Sequence, residues 1–162
     1  MIEPTFSIRS AELDDMNVLL RFIRDLAELQ GILDRLIADE KYLSTLLFES
    51  NSASEAIVLE YQNEVVGFAI FSTMNINRLY QDTPALYIDE LYIAPDFRSK
   101  GFGKAFFMYI ANIAKQRKLN RVEWWVVEGN DKAADFYRRL GAVAFPEYNV
   151  WRLKQEQFAH VN

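Results

Sequence analysis

One stretch of the chain combines residue types and spacings that could bind an anion. Arg98, Gly101 and Gly103 form an R-x-x-G-x-G turn between a strongly apolar strand pattern and a helix pattern. The first amides of a helix have no intrahelical partner and carry partial positive charge, so they form an anion site. Glycine lets the backbone approach a bulky diphosphate, and Lys100 and Lys104 add positive charge to that of Arg98. The pattern therefore predicts a diphosphate-binding turn.

Three phosphate-binding patterns compete for this turn. A Walker P-loop requires glycine five residues before the Gly103-Lys104 pair and serine or threonine after it, but Arg98 and Ala105 occupy those positions. The dinucleotide fingerprint requires a third glycine three residues after Gly103, where Phe106 stands. The turn resembles at every position the one with which acetyltransferases hold the pyrophosphate of coenzyme A.

The composition limits the chemistry that the rest of the chain could add. The 162 residues include no cysteine and a single histidine, His160, near the C-terminus. This excludes zinc-thiolate sites, iron-sulfur clusters and cysteine nucleophiles, and it argues against serine-histidine triads and multi-histidine metal sites. Eighteen basic residues against 23 acidic ones give a net charge of −5, which disfavours nucleic-acid binding. The chemistry must therefore use carboxylates, tyrosines, backbone amides or a bound cofactor, and we expect no metal.

Hydrophobic periodicity predicts the elements that position these residues in the order βααβββαβαββ. This order predicts a mixed α/β sheet in a single domain over residues 1–162, with a parallel crossover within 86–128. No apolar run approaches the ~20 residues that span a bilayer, and no signal segment is present, so we expect a cytoplasmic protein without membrane contact. Strands are predicted at about 5–10, 56–61, 65–74, 86–93, 121–128, 142–145 and 149–154, and helices at about 13–30, 39–48, 102–118 and 131–140.

Three sequence blocks together resemble the GNAT superfamily of N-acetyltransferases, nearly from end to end. The R-x-x-G-x-G turn follows a strand-then-proline segment, Leu91 to Pro95, and a later block reads Asn130-x-x-Ala133-x-x-Phe136-Tyr137-x-x-Leu140-Gly141-Ala142. The tail, with Trp151-Arg152-Leu153, and the opening helix pattern are most similar to the diamine (spermidine/spermine) acetyltransferase branch. The resemblance implies a GNAT fold, with a mostly antiparallel mixed sheet, splayed central parallel strands and flanking helices. It also implies a homodimer.

The resemblance further implies how coenzyme A binds. The amides of the turn would hold the pyrophosphate, and the backbone of the preceding strand would pair with the pantetheine arm as though it were another strand. One strand amide would donate to the thioester oxygen, where negative charge develops. Asn130 would contact the coenzyme arm or cap the next helix. The implied cofactor-binding residues are Leu91, Tyr92, Ile93, Arg98, Ser99, Lys100, Gly101, Phe102, Gly103, Lys104, Asn130 and Tyr137.

Catalytic roles follow from the same resemblance. Tyr137 would protonate the departing thiolate, while Asp89 and Glu90 stand where the polyamine branch carries acidic acceptor residues. An alkylammonium with a pKa near 10 must lose a proton before it attacks, and a carboxylate can accept that proton directly or through water. Asp89 is favoured as the base. Adjacent strand residues face opposite sides, so we expect at most one of the two in the cleft.

The sequence thus predicts an acetyl-CoA-dependent N-acetyltransferase acting on a primary amine of a polyamine, diamine or lysine-like compound. Without cysteine, direct transfer in a ternary complex is favoured over an acyl-enzyme. Acetylation of a protein N-terminus or lysine stays open as an alternative, as does a catalytically silent acyl-CoA-binding module. One departure weakens polyamine recognition, because Gln30 stands near where that branch places an acidic residue.

Overall fold

The computed structural model describes residues 5–76, 79, 81–145 and 150–161. The internal contacts divide the chain into two compact units, Met1–Trp125 and Val126–Asn162. Among the described residues, no helix is long and apolar enough to cross a membrane. The second unit contains the helix α4 (Asp131–Arg139) and a 3-10 segment, Gln155–Val161. The first unit contains the strands β1 (Phe6–Ser10), β2 (Ser54–Tyr61), β3 (Glu64–Met74), β4 (Ala85–Ile93) and β5 (Val122–Glu123), and the helices α1 (Met16–Leu29), α2 (Glu40–Leu47) and α3 (Phe102–Gln116).

The five strands form one mixed sheet in the order β1-β2-β3-β4-β5. Neighbours from β1 to β4 are antiparallel, whereas β4 and β5 are parallel and are joined through α3. The parallel pairing is short, because only Leu86 and Tyr87 pair with β5, and β4 continues to Ile93 paired with β3 only. The predicted mostly antiparallel sheet with splayed parallel strands is therefore confirmed.

Each face of the sheet buries its own apolar core, as the alternation of side chains along a strand requires. α1 and α2 cover one face, which we call the α1 face, where Leu19 and Leu43 pack near Val58 and Phe68. α3 covers the other, the α3 face, where Phe106 and Ile110 pack in a cluster that includes Phe71 and Leu86. The two cores fix β3 and β4 between the helical layers, and this positions the site described below.

A buried carboxylate fixes the start of α1 against the sheet. Asp15 is 6% exposed and accepts hydrogen bonds from both terminal nitrogens of Arg9, at 2.7 and 3.0 Å, and from the Glu12 amide at 2.8 Å. Arg9 also donates to Glu60 on β2, at 2.9 Å. The hydrogen bonds from Arg9 hold the pKa of Asp15 below its ordinary value despite desolvation. The first strand, the first helix and β2 are thereby linked through one polar network.

The C-terminal strand predictions are wrong. Residues 142–145 and 150–154 form no strand, residue 149 lies outside the described residues, and β5 covers two residues of the predicted 121–128. β-propensity measures the fit to a pleated, half-buried surface, and Val143, Phe145 and Val150 are exposed instead. Elsewhere the predicted order holds, including Gly141, whose φ of +87° closes α4 in the left-handed conformation.

Candidate active site

A one-residue β-bulge in β4 sets the geometry of the site. Phe71 pairs with Ile88 and Ile70 pairs with Glu90, which leaves Asp89 as the extra residue on β4. Such a bulge bends its strand and increases the local twist. The bulge explains why β5 is short, because β4 bends just after Tyr87, the last residue of β4 that pairs with β5.

The bulge also changes which side chains share a face. Leu86 and Ile88 pack in the core on the α3 face before it, and Leu91 and Ile93 pack against that core after it. Unbroken alternation would have sent the second pair to the opposite face. The bulge therefore resets the alternation halfway along β4.

Asp89 and Glu90 consequently lie on the same side of the sheet. The Oγ of Ser72 donates a hydrogen bond to the Asp89 carboxylate at 3.1 Å. Ser72 lies two residues after Ile70 on β3, so its side chain is on the α1 face, as that of Ile70 is. Glu90 lies two residues before Tyr92, whose ring is in the core of the α1 face, so the side chain of Glu90 is on that face too. The prediction that the two carboxylates face opposite sides is wrong, because the rule on which it rests fails at a bulge.

The electrostatics of this pair suit proton acceptance. Desolvation raises the pKa of Asp89, with the Ser72 hydrogen bond opposing it in part. Desolvation, then the charge of Asp89, raises the pKa of Glu90. Desolvation and the same two carboxylates also raise the pKa of Tyr87. A carboxylate with a raised pKa is a stronger base, and a cation beside the pair would relieve its repulsion.

Two backbone positions of β4 after the bulge face away from β3. The Ala94 amide donates to the Val66 carbonyl at 2.9 Å, and bonded pairs alternate along an antiparallel ladder. Leu91 and Ile93 therefore direct their N–H and C=O groups toward the edge beyond the end of β5. A Cβ on Gly67 would lie 2.7 Å from the carbonyl oxygen of Tyr92, so that carbonyl faces β3. The groups of β4 that face an extended ligand are therefore those of Leu91 and Ile93, whereas the Tyr92 carbonyl faces β3. The pairing of this segment with the pantetheine arm stays a prediction.

The glycine turn has the backbone form expected of an anion site. Ser99 and Gly101 both adopt positive φ, +62° and +84°, and α3 begins directly afterwards. The first bond inside the helix runs from the Ala105 amide to the Gly101 carbonyl, at 3.0 Å. The amides of residues 102–104 therefore precede the intrahelical ladder. The side chains of Lys100 and Lys104 are exposed beside them.

Arg98 makes contacts that the charge argument did not anticipate. Its Nε donates to the Ile93 carbonyl at 2.9 Å, and its guanidinium carbon lies 5.6 Å from the centre of the Tyr92 ring. These contacts tie the start of the turn to the end of β4. Arg98 thus has a structural contact beside its predicted contact with phosphate.

The remaining predicted residues, Asn130 and Tyr137, belong to the second unit. Asn130 accepts a hydrogen bond from the Ala133 amide at 3.2 Å and so caps α4, one of its two predicted roles. Tyr137 is half-buried in the same helix, and its ring centre lies 5.4 Å from that of Phe136. Desolvation raises the pKa of Tyr137, so the phenol stays protonated at neutral pH, as a proton donor must be.

Two contributors were missed at the sequence level. Ser72 interrupts an otherwise apolar strand, which signals a polar contact on that face. Gly67 lies within a strand, where glycine signals a close backbone approach. Among the described residues no group of three acidic or histidine side chains could hold a metal ion.

Comparisons with known proteins point in one direction. The model of the Acetyltransferase (GNAT) family matches residues 20–142. Thialysine N-epsilon-acetyltransferase from Sus scrofa is 26% identical over 152 residues, which cover 89% of this chain and 88% of that protein. Spermidine/spermine N(1)-acetyltransferase-like protein 1 from Homo sapiens is 24% identical over 155 residues, which cover 91% of this chain and 22% of that protein.

The solved structure of AAC(6')-Iy with the bisubstrate analog CoA-S-monomethyl-acetylneamine superimposes with a TM-score of 0.75. It is 13% identical, and the match covers 93% of this chain and 99% of that one. At this identity the likeness concerns the fold alone. The family match spans the bulge, the turn and α4.

Proposed function

Because the chain belongs to the GNAT family of acetyltransferases and is an N-acetyltransferase, we propose that it transfers the acetyl group of acetyl-CoA to a primary amine of a small cationic acceptor. The acceptor is a polyamine, a diamine or a lysine-like compound. The observation that carries this proposal is the bulge at Asp89, which brings two carboxylates onto one face beside the segment of β4 that, among the described strands, pairs with β3 only. The names of the relatives, which refer to thialysine and to spermidine or spermine, support the same acceptor class.

Most of the residues that would hold coenzyme A lie along one continuous stretch of the first unit, 91–104. The amides of residues 102–104 and the ammonium groups of Lys100 and Lys104 suit the pyrophosphate. The outward N–H and C=O of Leu91 and the outward N–H of Ile93 suit the amides of the pantetheine arm, while the Ile93 carbonyl already accepts from Arg98. When bound, acetyl-CoA supplies the activated acetyl group as a thioester.

The acidic pair prepares the acceptor for attack. Asp89 or Glu90 accepts the proton of the alkylammonium, directly or through water, and leaves a neutral amine that attacks the acetyl carbonyl carbon. An amide of Leu91 or Ile93 donates to the carbonyl oxygen as negative charge develops there. Since the chain has no cysteine, the acetyl group passes to the amine without an acyl-cysteine.

Tyr137 completes the reaction in this proposal. Its assignment comes from the family block Asn130 to Ala142, and its desolvated phenol is suited to give a proton to the departing thiolate. The resemblance to the polyamine branch also supports a homodimer. The composition, with no cysteine, one histidine, a net charge of −5 and no long apolar run, supports a cytoplasmic protein that uses no metal and binds neither nucleic acid nor membrane. Sedimentation at several concentrations would test the dimer.

A thiol-release assay with acetyl-CoA against an amine panel tests the proposal. The panel contains spermidine, putrescine, lysine, a neutral aromatic amine and a peptide with a free N-terminus. Turnover should be fastest with the small cations, and their KM should rise with salt, because exposed charges are screened over about 8–10 Å near physiological ionic strength.

Two variants locate the acceptor site. Asp89→Asn should raise KM for the cations and lower kcat, whereas Glu49→Gln, an exposed control at the end of α2, should change neither. Preference for the peptide would favour a protein acetyltransferase. Tight coenzyme A binding without turnover on any amine would indicate a silent binding module.

A further inference from the structure

Four aromatic side chains surround the start of α3, and we call them the aromatic bracket: Phe6, Tyr61, Phe97 and Phe102. The ring centre of Tyr61 lies 5.3 Å from that of Phe102 and 6.0 Å from that of Phe97. The ring centre of Phe6, on β1, lies 5.3 Å from that of Phe102. Phe102, the first residue of α3, is 4% exposed. The bracket therefore joins β1, the end of β2, the residue before the glycine turn and the first residue of α3.

Tyr61 is held in place by the local backbone. It is the last residue of β2 and pairs with Glu64 across a two-residue hairpin loop. Gln62 and Asn63 both have positive φ, +54° and +65°, as a type I′ turn requires. A turn of this type matches the twist of the two strands. The backbone that carries the Tyr61 ring is thus set by the turn and by the pairing with Glu64.

The glycine turn needs such support. It contains two residues in the left-handed region, Ser99 and Gly101, and no side chain caps α3. Phe97 immediately precedes the turn, and Phe102 lies within it as the first residue of α3. One ring that contacts both therefore fixes the distance between the start of the turn and the start of the helix. Arg98 fixes the start of the turn separately, through its bond to Ile93.

We propose that Tyr61 is a positioning residue for the cofactor turn, holding the amides of residues 102–104 in the orientation that binds the pyrophosphate. Its ring acts through Phe97 and Phe102 and does not contact the ligand itself. The inference rests on the proposed function for the identity of that ligand. Hydrogen-bond donors hold a ligand best when packing fixes the side chains that support them. The Tyr61 ring would fix Phe97 and Phe102 in this way.

The test compares Tyr61→Ala and Tyr61→Phe with Phe48→Ala. Phe48 packs against the other core, at the end of α2, and serves as a control for loss of a half-buried ring. The measurements are the Kd of coenzyme A by calorimetry, KM and kcat with acetyl-CoA, and the melting temperature. Tyr61→Ala should raise Kd and KM about tenfold and leave kcat nearly unchanged. A tenfold change in affinity corresponds to the loss of one or two aromatic pairs.

The matched variants separate positioning from simple stability. Tyr61→Phe keeps the ring and should bind as the wild type does, and Phe48→Ala should lower the melting temperature without changing Kd. If Tyr61→Ala does not fold, Tyr61→Leu, which keeps apolar volume but no ring, should show the rise in Kd. Wild-type affinity in the folded Ala or Leu variant, or an equal loss in Phe48→Ala, would overturn the inference. A wild-type protein that fails to bind coenzyme A would instead overturn the proposed function.

Discussion

Replacing Gly67 by alanine should displace the part of β4 that we assign to the pantetheine arm. A Cβ at this position would lie 2.7 Å from the Tyr92 carbonyl oxygen, 3.2 Å from the Phe106 ring and 3.3 Å from the Ile93 side chain. Close contacts between carbon and carbonyl oxygen are about 3.3–3.6 Å. β3 and β4 must therefore separate by about 0.6 Å or more at this point, which moves Ile93 with them.

The expected magnitudes follow from this displacement. Forcing an extra carbon into a packed site costs about 1–3 kcal/mol of unfolding free energy. For a chain of this size each kcal/mol lowers the melting temperature by about 2–4 °C. A misplacement approaching 1 Å near the reacting groups can cost up to about 10²-fold in rate. We expect kcat/KM for acetyl-CoA to fall about 10- to 100-fold.

Denaturant unfolding and steady-state kinetics on two variants test this reasoning. Ile57→Val is the control, because Ile57 is buried on β2, which does not pair with β4, and such a change costs about 0.5–1.5 kcal/mol. The control should lose stability and keep kcat/KM. The reasoning is refuted if Gly67→Ala is as stable as the wild type, or if Ile57→Val loses as much activity.

Three further predictions concern proton transfer and acid stability. Tyr137→Phe should lower kcat by about 10²–10⁴-fold and leave the Kd of coenzyme A unchanged; a fully active but less stable variant would make Tyr137 a core residue only. Because desolvation raises the pKa of Asp89 and Glu90, kcat/KM should rise with pH through a pKa above ordinary carboxylate values. The double variant Asp89→Asn, Glu90→Gln should lack that limb, and an unchanged profile would rule out the pair as the base. Because the pKa of Asp15 is lowered in the folded state, its stabilisation is present above the unfolded pKa and is lost as pH falls through the folded one. Asp15→Asn should cost about 1–3 kcal/mol at pH 7 and flatten the dependence of urea unfolding on pH between 3 and 7, whereas equal acid sensitivity would contradict this role.

The parts of the site that the sequence predicted depend on local signals. The turn and α3 follow from Gly101, Gly103 and the apolar spacing of Phe102, Phe106 and Ile110, which are read within a few residues of one another. α2 and the β2–β3 hairpin were predictable for the same reason. Signals of this kind need no knowledge of which strand lies next to which.

The parts that the sequence did not predict depend on pairing between distant residues. The bulge exists because Ile70 and Phe71 pair with Glu90 and Ile88, and nothing within β4 alone marks Asp89 as the extra residue. The C-terminal strands failed for the related reason that alternating apolar residues predict a strand only where a neighbouring strand accepts them.

The free edge of β4 also bears on how the protein behaves in crowded solution. Unpaired N–H and C=O groups at a strand edge are a template on which another chain can add a strand and begin to aggregate. In the first unit that edge starts at the bulge, where Asp89 and Glu90 stand. In an antiparallel approach of two copies centred on the bulge, these carboxylates would lie close together, and their repulsion would oppose the association. The residues assigned to the acceptor amine would thus also oppose pairing between the edges of two copies.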